Sequence, residues 1–289
     1  MRIGPDSGIH PVKQNSAQGA TMTALPDRAP RSDSDTIRAK TLRGLILARR
    51  LDTARRGRGY TTRKLAGEMS MSAAMVNRVM TGRRVPTALE IGGLCALLDI
   101  RPDHRQVLYR LAATADRTDW IIRHGHDGPN PVRDLEALAT TITTYEPDLL
   151  PAALRTPAYH RATRQPRDLE RPEPDTRRKS VYLVPARVLD DHDLPGEVRH
   201  TQLRHLLAEP QRVRVLPRAA PRQAAFRVLE IDNFPPVVHI EHHTTSIVLE
   251  RPDSTTATAA LLAELRALAR PERDTTPILR DLLSLIGGA

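Results

Sequence analysis

Four residues on one predicted helix, Ala73, Ala74, Asn77 and Arg78, have the types and spacing to touch base edges in a nucleic-acid groove. Arginine pairs bidentately with guanine, asparagine pairs with adenine, and an alanine methyl packs against the thymine methyl. Arg83 and Arg84 follow in the next loop, where the phosphates flanking such a helix would lie.

The elements that must position these residues can be read locally. Thr61–Met80 reads as two short helices joined by a tight turn. Thr61 is placed to cap the first, which carries Leu65 and Ala66 inward and closes near Glu68; Met69 plugs the turn. Ser72 caps the second, whose Val76 and Val79 face inward. Gly82 fits the position just past a helix end, where a positive φ is common. Thr87 with Glu90 three residues on has capping-box spacing and starts a helix through Leu89, Ile91, Leu94, Leu97 and Leu98. A helix over 37–56, with Ile37, Leu42, Leu45, Ile46 and Leu51 on one stripe, precedes the hairpin. A fifth helix over 102–116 follows, with Val107, Leu108 and Leu111 inward.

An ordinary helical hairpin would share this spacing, so charge has to discriminate. The chain of 289 residues carries a formal charge of +10. Residues 38–127 hold 18 Lys and Arg against 8 Asp and Glu, while the remainder is balanced. A compositional bias toward arginine would spread along the chain. Localised basicity is the footprint of a polyanionic partner.

Other chemistry has thinner support. His239, Glu241 and His243 alternate on a predicted strand and would share one face, a plausible zinc-ligand arrangement. The simpler reading is an ordinary polar strand face with Val238 and Ile240 toward the core. His124 and His126 flank Gly125 in what reads as a polar turn. Asp190, Asp191, His192 and Asp193 read as a solvated turn, and His200 and His205 do not share a helical face. The sequence holds no Gly-rich phosphate loop, nucleophile elbow or paired-cysteine motif. The expectation is therefore a non-enzyme with no cofactor and no bound metal. Cys95 alone cannot form an intrachain disulfide and reads as a reduced core residue of a cytoplasmic protein. No run of 18 apolar residues suggests a membrane span.

Residues 1–36 read as a neutral disordered arm, and Met22 offers a second start. Residues 37–116 form the all-α unit and 117–130 a linker containing the apolar cluster Trp120, Ile121 and Ile122. From 131 to 289 the pattern turns mixed. Helices are expected near 132–138, 201–208, 255–269 and 277–286, and Tyr145 to Tyr159 reads as a helix, a turn and another capped helix after Thr156. Residues 164–180 read as a solvated loop. Strands are expected at 140–145, 181–184, 212–216, 226–231, 237–241 and 246–249. The whole is α+β, with a five-helix all-α domain followed by a mixed α+β domain.

Residues 42–100 resemble the helix-turn-helix domain of the Xre and Cro family of regulators. The likeness rests on Thr61, Leu65-Ala66, the cap Ser72, Val76, and Gly82-Arg83-Arg84-Val85-Pro86. The chain has Thr62 where the family usually has Gln, Ser70 where the tight turn usually has Gly, and Met80 where Glu is common. The resemblance implies Ala73, Ala74, Asn77 and Arg78 as base readers and Thr62, Ser72, Arg83 and Arg84 as phosphate contacts. The second half resembles the domain following the helix-turn-helix in actinomycete Xre-type, antitoxin-like regulators. Tyr145-Glu146-Pro147, Leu149-Leu150-Pro151, Leu154-Arg155-Thr156, Val213–Pro217 and Val237–Glu241 carry that likeness. Together these imply a sequence-specific transcriptional regulator on double-stranded DNA, with a homodimer expected on a pseudo-palindrome. Expected further partners are a small companion protein encoded nearby and a small-molecule effector, with no membrane partner. The alternative is an interaction or sensor module with a vestigial helix-turn-helix.

Overall fold

A computed structural model describes residues 41–123, 131–163, 179–242 and 244–287. The expected arm over 1–36, the His124/His126 turn and most of the loop at 164–180 lie outside these residues.

Five helices come first: α1 (Leu42–Gly57), α2 (Thr62–Glu68), α3 (Ala73–Met80), α4 (Ala88–Leu97) and α5 (Pro102–Ala113). Their starts follow side-chain caps. Thr41, Thr61 and Ser72 accept from the backbone N–H of Gly44, Lys64 and Met75, and Thr87 and Glu90 form the full capping box. The first helix starts later than the sequence suggested. Thr41 is extended, with φ −142° and ψ 157°, so the helix cannot run through it from Ile37. Leu89 also departs from expectation and is 87% exposed. Ile91, Leu94, Cys95 and Leu98 hold the buried stripe, and Leu89 lies about 200° around the helix from Ile91. Cys95 is a free buried thiol, and burial pushes its pKa up.

The expected linker contains a strand. β1 (Trp120–Arg123) is followed by α6 (Pro131–Leu138), β2 (Ala139–Tyr145), α7 (Pro157–Ala162), β3 (Lys179–Pro185), α8 (Ala186–Leu189), α9 (Gly196–Ala208) and β4 (Val213–Leu216). Then come β5 (Phe226–Ile231), β6 (Val237–Glu241), β7 (Thr245–Leu249), α10 (Pro252–Leu268) and α11 (Thr275–Gly287). The seven strands form one sheet in the order β1-β7-β6-β5-β2-β3-β4. β2, β3 and β4 are parallel, and the other pairings are antiparallel. Mixed order of this kind makes the chain α+β.

One sheet face meets the helical unit. Trp120, Ile122, Ile142, Leu229, Ile231, Val237 and Val248 share a buried cluster with Leu42, Leu51 and Leu65 of the helical unit and Leu135 of α6. Tyr182, Val184, Val213 and Val215 continue that face beneath α7, α9 and α11. The opposite face packs Leu183, Phe226, Val228 and Val238 against Leu262 and Leu265 of α10.

Polar contacts reinforce the junction between helices and sheet. Arg50 grips Asp134 through Nε and Nη2 at 2.9 and 2.6 Å. The Arg43 guanidinium lies 4.6 Å from the centre of the Trp120 ring. Glu250, just after β7 and 4% exposed, accepts the Leu42 backbone N–H at 2.7 Å. Burial pushes its pKa up to about 7; Asp119 adds to the shift, while the Leu42 bond and the Arg43 charge oppose it. Among the described residues no helix is long and apolar enough to cross a membrane.

Candidate nucleic-acid interface

The turn between α2 and α3 sets the angle of the interface. Ser70 takes φ 51°, the left-handed conformation that a glycine would adopt without strain. The Met71 backbone N–H returns to the Ala66 carbonyl at 2.9 Å and locks the turn. Val76 and Val79 are buried, pinning α3 to the core. Its opposite side is then free of packing, and Ala73, Ala74, Asn77 and Arg78 are all exposed there. The Arg78 side chain carries no ion pair or hydrogen bond among the described residues, as a base-reading guanidinium requires.

The loop after α3 is folded back on it. Gly82 has φ 74°, and the Arg83 and Arg84 backbone N–H groups both donate to the Arg78 carbonyl, at 2.8 and 3.1 Å. Arg84 is committed elsewhere: its Nη1 and Nη2 donate to the two Glu90 carboxylate oxygens, both at 2.9 Å. That bond is the main cause holding the Glu90 carboxyl below its usual range, against the opposing effect of burial. Glu90 also accepts the Thr87 N–H at 2.8 Å. Arg84 therefore fixes the loop to the start of α4, with its remaining N–H groups left for other contacts.

Ser72 spends its acceptor on capping α3 but keeps a hydroxyl proton to donate. Thr62 is partly exposed in the first turn of α2. Arg63 and Lys64 are exposed in the same turn, beside Thr62, and sequence reasoning passed over both. Lys64 stands 5.1 Å from the centre of the Tyr60 ring. Their signal was present as two consecutive basic residues following a cap.

Residues 46–108 match the helix-turn-helix domain family. Residues 130–281 match DUF5753, a domain of unknown function. The chain belongs to the DUF5753 family. The helix-turn-helix match points to a DNA-binding regulator and away from an enzymatic role. No curated protein matches the chain.

Within the DUF5753 half, His239 and Glu241 share one strand face with Arg227. His239 is 2% exposed and faces the helical side of the sheet beside Arg227, its cross-strand partner. Arg227 ion-pairs with Glu241 at 2.9 Å and with Glu136 of α6. The Arg227 guanidinium thus stands between Glu136 and Glu241. His243 lies outside the described residues. Among the described residues no three His, Cys, Asp or Glu side chains group as a metal site.

Proposed function

We propose that the chain is a sequence-specific transcriptional regulator of the Xre type, with α3 lying in the DNA major groove. The observation that carries this reading is the outward face of α3: small residues, one amide and one unpartnered guanidinium on a helix whose other side is locked into the core. Arg78 and Asn77 read bases, Ala73 and Ala74 allow close approach, and Thr62, Ser72, Arg83 and Arg84 hold phosphates, joined by Arg63 and Lys64. A single helix of this kind reaches few base pairs, so the regulator acts as a cytoplasmic homodimer on two half-sites. The DUF5753 half dimerises or receives the signal, and a small companion protein completes an antitoxin-like pair.

A gel-shift against the DNA upstream of the protein's own coding region tests the reading. A shift that weakens with salt is expected. Its absence at low salt would favour an interaction module with a vestigial helix-turn-helix. Arg78→Ala is expected to cost about 1–3 kcal/mol of binding and to relax specificity at one base pair, read by titrating single-substitution operators. Equal affinities for all of them, in wild type and variant alike, would remove Arg78 from the reading face. Arg84→Ala is expected to weaken all sequences alike, because it loosens the loop and deletes a cation without touching a base. A change confined to one operator position would contradict that role.

A further inference from the structure

The parallel half of the sheet gathers three carboxyl ends on one side. β2, β3 and β4 point the same way and end side by side at Tyr145, Pro185 and Leu216. In sheets with parallel strands, ligands favour the space outside the carboxyl ends. Here the chain leaves β4 at the sheet edge and re-enters as β5 beyond β2. The connection Pro217–Ala225 therefore crosses those carboxyl ends.

Arg187, two residues beyond β3, lies under this crossing. Its Nη1 donates to the carbonyl oxygens of Arg218 and Ala220, at 3.1 and 3.2 Å. The Tyr145 hydroxyl donates to the Pro221 carbonyl. The loop is thus pinned at two points, one of them the guanidinium itself. The other edge of that guanidinium is unused among the described residues: Nε and Nη2 are buried and have no hydrogen-bond partner there. Those two N–H bonds are parallel and form the fork that grips two oxygens of a carboxylate or phosphate. Arg50 uses the same edge on Asp134.

A guanidinium cannot escape its charge by losing a proton, and its two buried donors are costly to leave unmet. The surrounding acids do not resolve the deficit. Asp190 binds Arg218 at 2.9 Å and faces His192 at 3.3 Å. Glu146 binds Arg155 at 3.2 Å. Exposed Arg218 and Arg222 keep the loop itself cationic.

We infer that Arg187 anchors a binding site for a small carboxylate- or phosphate-bearing ligand, between the carboxyl ends of β2–β4 and the Pro217–Ala225 loop. The Nε/Nη2 fork takes two oxygens of the oxyanion, and Nη1 keeps the guanidinium oriented from the loop. The fork is covered here, so entry displaces part of the exposed stretch Arg222–Ala225 and leaves the Arg218 and Ala220 carbonyls on Nη1. The site stands independently of DNA binding.

The test uses the full chain without DNA. Its thermal midpoint is followed against citrate, acetate and inorganic phosphate, with chloride as reference at matched ionic strength. The midpoint is expected to rise with anion concentration beyond the chloride reference. The anion with the larger rise, carboxylate or phosphate, identifies the source. Arg187→Lys keeps the charge but loses the fork, so it should need at least about tenfold more anion for the same rise. Arg218→Ala, which leaves the fork in place, should retain the rise. As a second readout, the Arg187 Nε–H resonance, assigned by its loss in Arg187→Lys, should shift during titration of the wild type. Equal midpoint rises in wild type and Arg187→Lys would overturn the site. So would a resonance that none of the three anions moves.

Discussion

Replacing Glu250 with glutamine is expected to flatten the pH dependence of stability between about pH 4.5 and 7. The sign follows from the buried carboxyl. Its pKa is about 7 in the folded chain against an ordinary 4.5. Between those values the folded state holds a proton that the unfolded chain has released. Stability contributed by this group is therefore full below pH 4.5 and is lost as pH rises toward 7. The loss amounts to about 3 kcal/mol, from the size of the shift. A glutamine cannot ionise, and its carbonyl still accepts the Leu42 N–H. Glu250→Gln should match wild type near pH 4.5 and exceed it by up to about 3 kcal/mol at pH 8. Urea unfolding of both proteins across that range checks this. Two parallel curves would show that Glu250 is not the source of the slope.

Asp119 does not confuse the measurement. Burial raises its pKa, but the Ser254 hydroxyl and the backbone N–H groups of Glu250 and Arg251 outweigh that and hold it below 3.8. Its contribution is present above pH 3.8 and fades only as pH falls through its lowered folded pKa, outside the Glu250 window. Glu250 matters beyond stability because it joins the start of α1 to the end of β7. That bond ties the helix-turn-helix half to the DUF5753 half.

Glu250 also shows where sequence reading stops. The caps at Thr61, Ser72 and Thr87 were legible because each acts over three residues, and the helices followed from them. β5 and β6 run over the expected residues, since their β-branched runs are bounded by turn residues. β1 was not legible. Four residues, Trp120–Arg123, become a strand only by pairing with β7, more than 120 positions away. The 208 positions between Leu42 and Glu250 put their bond beyond any local signal. At the interface, the outward face of α3 came from helical period alone. The commitment of Arg84 to Glu90 and the exposure of Arg63 and Lys64 needed the folded loop and turn. The alternation of His239 and Glu241 was visible, but the arginine beside them came from a neighbouring strand.

That arginine sets the other large expected effect. Arg227→Met should destabilise the chain by about 3 kcal/mol at pH 8, the cost of breaking a largely buried ion pair from one side. Arg227 has a side-chain exposure of 23% and sits between Glu136, 8% exposed, and Glu241. Burial works against its charge, and the two carboxylates more than compensate, leaving its pKa raised. With the guanidinium gone, the Glu136 carboxylate keeps its buried place and loses the Arg227 charge. Adding Glu136→Gln should recover most of the loss at pH 8, because the buried charge disappears with the cation. Urea unfolding of the four proteins in this cycle gives the coupling between the two residues directly. A loss unrelieved by Glu136→Gln would mean that Arg227 acts through packing of its aliphatic stem and not through charge.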